Sequence, residues 1–146
     1  MKKTDDNKIE EKVREEYIKY KIIEEQLGTI ISQREVIRQN IEDINKTIET
    51  IDKISEIKEI KEVWFLLGND VFVKGNLLNT NKFFVNVGSG IILEKNIEET
   101  KNLLNKRIDV MKESLKKIEK NIELQAKRME EIETRIQKLL NEKKEK

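Results

Sequence analysis

Ser89 lies in the run Gly88-Ser89-Gly90, where a small hydroxyl nucleophile is bracketed by two glycines. Such a run invites comparison with loops that cradle phosphate. It lacks the Gly-x-x-x-x-Gly-Lys-Ser/Thr spacing, and β-forming residues follow it where a phosphate loop requires a helix. A serine nucleophile also needs a base to take its proton, and the chain has no histidine. It has no cysteine either, which removes thiol chemistry, disulfides and the usual zinc sites. The many carboxylates lie on periodic helix faces, where solvated surface is the default. We therefore expect no catalytic residue, no metal ligand, no cofactor and no enzyme.

The bulk composition agrees with an unreactive, extended molecule. The 146 residues fit a single domain, yet 40% of them are charged, 5% are aromatic and none is proline. An interior proline costs a helix about 3 kcal/mol, so its absence suits long unbroken helices. The net charge is +1 with the two signs interleaved, which argues against nucleic acid, whose binding needs a concentrated basic face. The first 11 residues are too polar for a signal peptide, and no apolar run reaches the roughly 18 residues of a membrane span. These features point to a soluble, cytoplasmic protein with no membrane partner.

A seam with strict 4-3 spacing runs through Ile9, Val13, Glu16, Tyr20, Ile23, Leu27, Ile30, Arg34, Ile37, Ile41, Ile44, Ile48 and Ile51. The rhythm resumes at Ile97 and continues through Lys101, Leu104, Ile108, Met111, Leu115, Ile118, Ile122, Gln125, Met129, Ile132, Ile136 and Leu139. Each run has 13 positions, of which 11 are apolar, and spacing sustained over about six heptads marks a coiled coil. Two equal runs around an insert predict one antiparallel helical hairpin, with helix one over 7–61 and helix two over 96–140. At 1.5 Å per residue helix one spans on the order of 75 Å. Asn7-x-x-Glu10 and Asn96-x-x-Glu99 read as capping boxes at the two helix starts, and 141–146 read as a frayed tail. Folding back sets Ile51 opposite Ile97, Ile37 opposite Met111 and Ile9 opposite Leu139. No polar seam residue then faces another. For Glu16, Arg34, Lys101 and Gln125 we expect stems along the core and heads in water.

Residues 62–95 change period and composition. All four phenylalanines, the single tryptophan and four of the five glycines fall there. β-rich runs separated by turn residues predict strands at 63–67, 71–76, 83–87 and 91–94. The result is two β-hairpins inserted at the closed end, so the fold class is α+β. Val63-Trp64-Phe65-Leu66-Leu67 is apolar on both alternating sets, and such a strand wants cover on each side. About 35 residues cannot supply that cover, and isolated hairpins are only marginally stable. Assembly is therefore expected, through Val63, Trp64, Phe65, Leu66, Val71, Phe72, Val73, Phe83, Phe84, Val85, Val87 and Ile91.

The order helix, hairpin, hairpin, helix resembles the alpha-type subunit of archaeal prefoldin. The local motifs that carry the resemblance are Gly68-Asn69-Asp70-Val71-Phe72-Val73-Lys74-Gly75, Asn79-Thr80-Asn81-Lys82, Val85-Asn86-Val87-Gly88-Ser89-Gly90 and Leu93-Glu94-Lys95. The resemblance implies an ATP-independent chaperone subunit, and two hairpins rather than one imply the alpha class. It implies a hexamer of two alpha and four beta-type subunits around a β-barrel body. The partners it implies are thus a second alpha subunit, beta-type subunits, non-native polypeptides and a group II chaperonin. Clients would be held at the coil tips, where Ile9, Val13, Tyr17, Ile18, Ile136, Leu139 and Leu140 offer apolar contact. The alternative is a structural coiled-coil protein that self-assembles through its β-hairpins into filaments. A third reading is an adaptor that grips one helix of a folded partner.

Overall fold

The computed structural model describes the backbone of residues 2–59 and 62–144 and the side chains of 7–59 and 62–143. Helix α1 spans Lys2–Ser55. Four strands follow, β1 Glu62–Gly68, β2 Val71–Asn76, β3 Lys82–Gly88 and β4 Ile91–Asn96. Helix α2, Ile97–Lys144, closes the chain. The fold is α+β, with two long helices and two antiparallel two-stranded sheets, β1 with β2 and β3 with β4.

The heptad seam decides which helical residues are sheltered. Between Asn7 and Thr50 every seam position is partly or fully buried and every other residue is exposed. All seam positions of α2 are likewise sheltered, together with Thr100, Leu103, Ser114 and Glu119. Cross-helix ion pairs flank the seam. In the unit formed by 1–38 and 112–146, Arg38 meets Glu119 and Glu16 meets Arg135. In the unit formed by 39–111, Lys101 meets Asp52 at 2.6 Å. In the first unit the two pairs, 38 with 119 and 16 with 135, set the helices antiparallel.

The helix boundaries differ from the sequence reading at both ends of α1. The helix begins at Lys2, so Asn7 lies inside it and its capping box is not formed. Nothing between residues 2 and 7 is glycine or proline, so no residue there obliges the helix to stop. At the other end α1 closes at Ser55 rather than running to 61. The Ser55 hydroxyl donates to the Asp52 carbonyl at 2.7 Å, and the Ile57 N–H donates to the Ile54 carbonyl. Serine offers the last turn a local alternative to continued α-helix. The part of the expectation that falls on 60 and 61 lies outside the described residues. Helix α2 continues through Lys144, past the expected fraying at 141, and the rest of that tail lies outside the described residues as well.

The start of α2 forms the capping box that its sequence spacing predicts. The Asn96 side-chain carbonyl accepts from the Glu99 N–H at 2.9 Å, and the Glu99 carboxylate accepts from the Asn96 N–H at 3.1 Å. Two of the orphan donors at the helix start are thus satisfied reciprocally. Thr100, one residue on, is buried and donates to the Asn96 carbonyl.

The two hairpins are one design used twice, displaced by 20 residues. Glu62 pairs with Asn76 and Leu66 with Phe72; Lys82 pairs with Asn96 and Asn86 with Ile92. In each, the register slips by one at a glycine, giving Gly68 opposite Val71 and Gly88 opposite Ile91. The central turn residues have positive φ in both hairpins: Asn69 47° and Asp70 60°, Ser89 48° and Gly90 76°. Positive φ at both positions is the type I′ turn, whose twist matches that of paired strands. The Asn86 side chain accepts from the Gly88 N–H at 2.9 Å and fixes the bulge of the second hairpin.

Candidate interaction surfaces

Alternation along the strands sorts the hairpin side chains onto two faces. In the first hairpin one face carries Trp64, Leu66, Phe72 and Lys74, and the other carries Val63, Phe65, Val73 and Gly75. Trp64 and Phe72 rings lie 6.2 Å apart, and the Lys74 ammonium sits 5.9 Å above Trp64. Phe65 lies against Gly75, where a Cβ would come within 2.7 Å of the ring. Neither face is covered: Trp64 is 66% exposed and Phe65, on the opposite face, 45%. Leu66, Val71, Phe72 and Val73 are exposed too, and only Val63 of this hairpin's expected assembly residues is half-buried.

The second hairpin is asymmetric. Phe84 is 75% exposed, whereas Val85, its neighbour on the other face, is buried. Phe83, Phe84 and Val85 border a groove of about 480 Å³ with Thr50, Ile51, Ile54 and Leu104. The Arg107 guanidinium donates to the Asn86 carbonyl and ties α2 to β3. Phe83 and Val85, expected among the assembly residues, thus spend one face on the chain's own helices. Phe84, Val87 and Ile91 remain exposed.

The coil end nearest the termini brings together the other set of expected residues. Ile9 is buried, while Val13, Ile136 and Leu139 are half-buried in the seam. Tyr17, Ile18 and Leu140 are exposed off the seam. Ile9, Val13, Tyr17 and Leu140 share one groove with Glu10, Arg14 and Lys143. The Lys21 ammonium lies 5.8 Å from the Tyr17 ring centre. Ile18, Ile136 and Leu139 are not among the residues that line that groove.

Charged groups here are set by ion pairs rather than by burial. Glu16, a seam carboxylate with a side chain 14% exposed, meets Lys19 at 2.6 Å and Arg135 at 2.9 Å. The Lys19 hydrogen bond, helped by Arg135, outweighs the upward push of burial and holds its carboxyl below the ordinary range. Lys143 does the same for Glu10. The Glu133 carboxylate pushes the Tyr20 phenol up. Sequence reasoning gave Glu16 a head in water and missed these pairs. The signal for them was present in the i, i+3 spacing to Lys19 and in the antiparallel register to Arg135. Gln125 is also unlike its expectation, since its side-chain oxygen is buried in the seam with no hydrogen-bond partner. Among the described residues no helix is long and apolar enough to cross a membrane. No group of acidic residues among them is placed to hold a metal ion.

A two-helix coil with a pair of short antiparallel hairpins between its helices is the architecture of one family of chaperone subunits. The prefoldin subunit model matches residues 23–142, and the chain belongs to the prefoldin family. It is of the archaeal alpha type. The chain is 27% identical to prefoldin subunit alpha of Archaeoglobus fulgidus, over 91% of this chain and 92% of that one. It is 28% identical to prefoldin subunit alpha of Pyrococcus horikoshii, over 79% and 72% respectively. The fold is similar to the cryo-EM structure of filamentous PFD from Methanocaldococcus jannaschii, with a TM-score of 0.71 at 17% identity over 79% of this chain and 95% of that one. The chain is accordingly a subunit of a chaperone family whose members form hetero-oligomeric complexes.

Proposed function

We propose that this chain is an ATP-independent holdase subunit that works in a hexamer of two alpha and four beta-type subunits. It acts in the cytoplasm, keeps non-native polypeptides from aggregating and passes them to a group II chaperonin. The observation that carries this reading is the pair of uncovered faces on the first hairpin. Trp64 on one face and Phe65 on the other are both exposed in the lone chain. Large apolar groups on two sides of a two-stranded sheet are stable in water only when other strands cover them. Assembly through 62–95 into a β-barrel body, with a second alpha subunit and the beta-type subunits, supplies that cover.

Holding is assigned to the coil ends. Tyr17, Ile18 and Leu140 are exposed there, and Ile9, Val13, Ile136 and Leu139 become available where the last turns splay. Weak apolar contacts of this kind accept many sequences. The test mixes the chain with a beta-type subunit and measures mass by light scattering and protection of an unfolded client from aggregation. The expected result is a discrete hexamer that protects. Deleting 1–18 and 130–146 should preserve the hexamer and abolish protection. A truncated hexamer that protects undiminished would remove the coil ends from the mechanism.

The filamentous relative favours keeping a second reading in the same experiment. In it the chain alone polymerises through its hairpins into filaments, with the coils as side arms. Open-ended growth without the beta-type subunit, unaffected by adding it, is the result that would support it.

A further inference from the structure

We propose that one flank of the coil end is a docking groove for an acidic peptide segment of another protein, centred on one bulky aliphatic residue. Seam residues Ile23 and Ile132, with exposed Ile22, floor a groove of about 380 Å³. Lys19, Arg128 and Arg135 rim it, and Glu131 is the one acidic lining residue. Arg135 also lines a second, neighbouring hollow with Lys12, Glu15, Glu16, Lys138 and Leu139. Across the two hollows five cations face three carboxylates.

The charge pattern follows from the heptad. Lys12, Lys19, Arg128 and Arg135 each directly precede a seam residue of the same class: Val13, Tyr20, Met129 and Ile136. In an antiparallel pair these positions from both helices fall on one flank. The positions that fall on the other flank carry Glu10, Tyr17, Glu24, Glu133 and Leu140. The coil end therefore has a basic side with an aliphatic floor and an acidic side with an aromatic group. Glu16 reaches from the seam to Lys19 and Arg135 and fixes two rim cations in place. An aliphatic side chain over Ile22, Ile23 and Ile132 loses water on that floor. Carboxylates two to four residues away on either side meet the cationic rim, an arrangement that steers and orients more than it tightens. This surface goes beyond client holding, which makes no demand on charge and shares only Leu139 with it.

The test uses the full chain and a fluorescein-labelled peptide with one leucine between pairs of glutamates, read by anisotropy at low salt. Saturable binding is expected. Arg128→Glu and Ile22→Gln should each weaken it about tenfold or more, and so should leucine→serine in the peptide, a difference of about 1.4 kcal/mol. Val36→Gln, an exposed apolar position away from the groove, should leave it within about twofold. Circular dichroism checks that each variant keeps its helix content. Absence of saturable binding, or equal binding of the serine peptide, overturns the proposal. So does an equal loss in Val36→Gln, which would mean unspecific adhesion to the coil. Sedimentation without peptide covers the remaining occupant: if Ile22→Gln or Arg128→Glu dissociates copies of the chain, the groove belongs to a second copy. The proposed holding activity is scored separately by client aggregation, so either can fail alone.

Discussion

Ser89 adopts φ 48° without being glycine, asparagine or aspartate, the residues that tolerate the left-handed region best. Its counterpart in the first hairpin is Asn69. Ser89→Asn creates Asn-Gly, the favoured type I′ pair, and should raise stability by about 0.5–1 kcal/mol, read from the urea midpoint. Glu16 makes the pH dependence explicit. Folding holds its carboxyl below the ordinary value through Lys19 and Arg135, so the unfolded chain binds more protons as pH falls. The stability it contributes is present above the unfolded carboxylate value, about 4.3, and is lost as pH drops through the folded one. Glu16→Gln should flatten acid unfolding below about pH 4.5 while lowering stability at neutral pH, measured by thermal melts across that range. Side-chain roles at this scale were legible where the partners are close in sequence. Asn96 and Glu99 cap α2 as read, because a strand precedes them and the helix has to begin there. Asn7 and Glu10 have identical spacing, yet helix-compatible residues precede them and α1 runs through.

Long-range periodicity made the helices readable and left the hairpin faces ambiguous. A 4-3 repeat names the sheltered residues directly, and between Asn7 and Thr50 burial follows it without exception. The strands alternate between two apolar sets, so period alone could not tell which set packs against the chain's own helices. Val85 is buried and Phe83 half-buried beside the helices, while Phe84, at the border of the same groove, stays 75% exposed. Gln125 shows what a repeat cannot convey about a single layer. Its buried oxygen has no partner, and such a group costs about 1–3 kcal/mol. Gln125→Leu should raise the melting temperature of the coil, by the same order of energy, because the seam becomes apolar at that layer. Asn96→Ala should do the reverse, costing about 1 kcal/mol through loss of the cap, with chemical denaturation as the readout.

Assembly belongs to the whole molecule, and its prediction rests on side chains that the lone chain leaves in water. Trp64→Ser combined with Phe84→Ser should keep the helix content by circular dichroism, since both side chains are mostly exposed in the lone chain. The same double variant should shift the mixture with a beta-type subunit from a discrete complex toward free chains in size-exclusion chromatography. Retention of the full complex would move the assembly surface away from these faces. One further consequence lies in how little of each heptad the fold consumes. Two positions in seven hold the helices together, and in α1 the other five are solvent-facing between Asn7 and Thr50. Mutations at those five positions escape the penalty that a core imposes. Substitutions there can change the chemistry of the arm's surface, residue by residue, while the seam that joins the helices is left as it is.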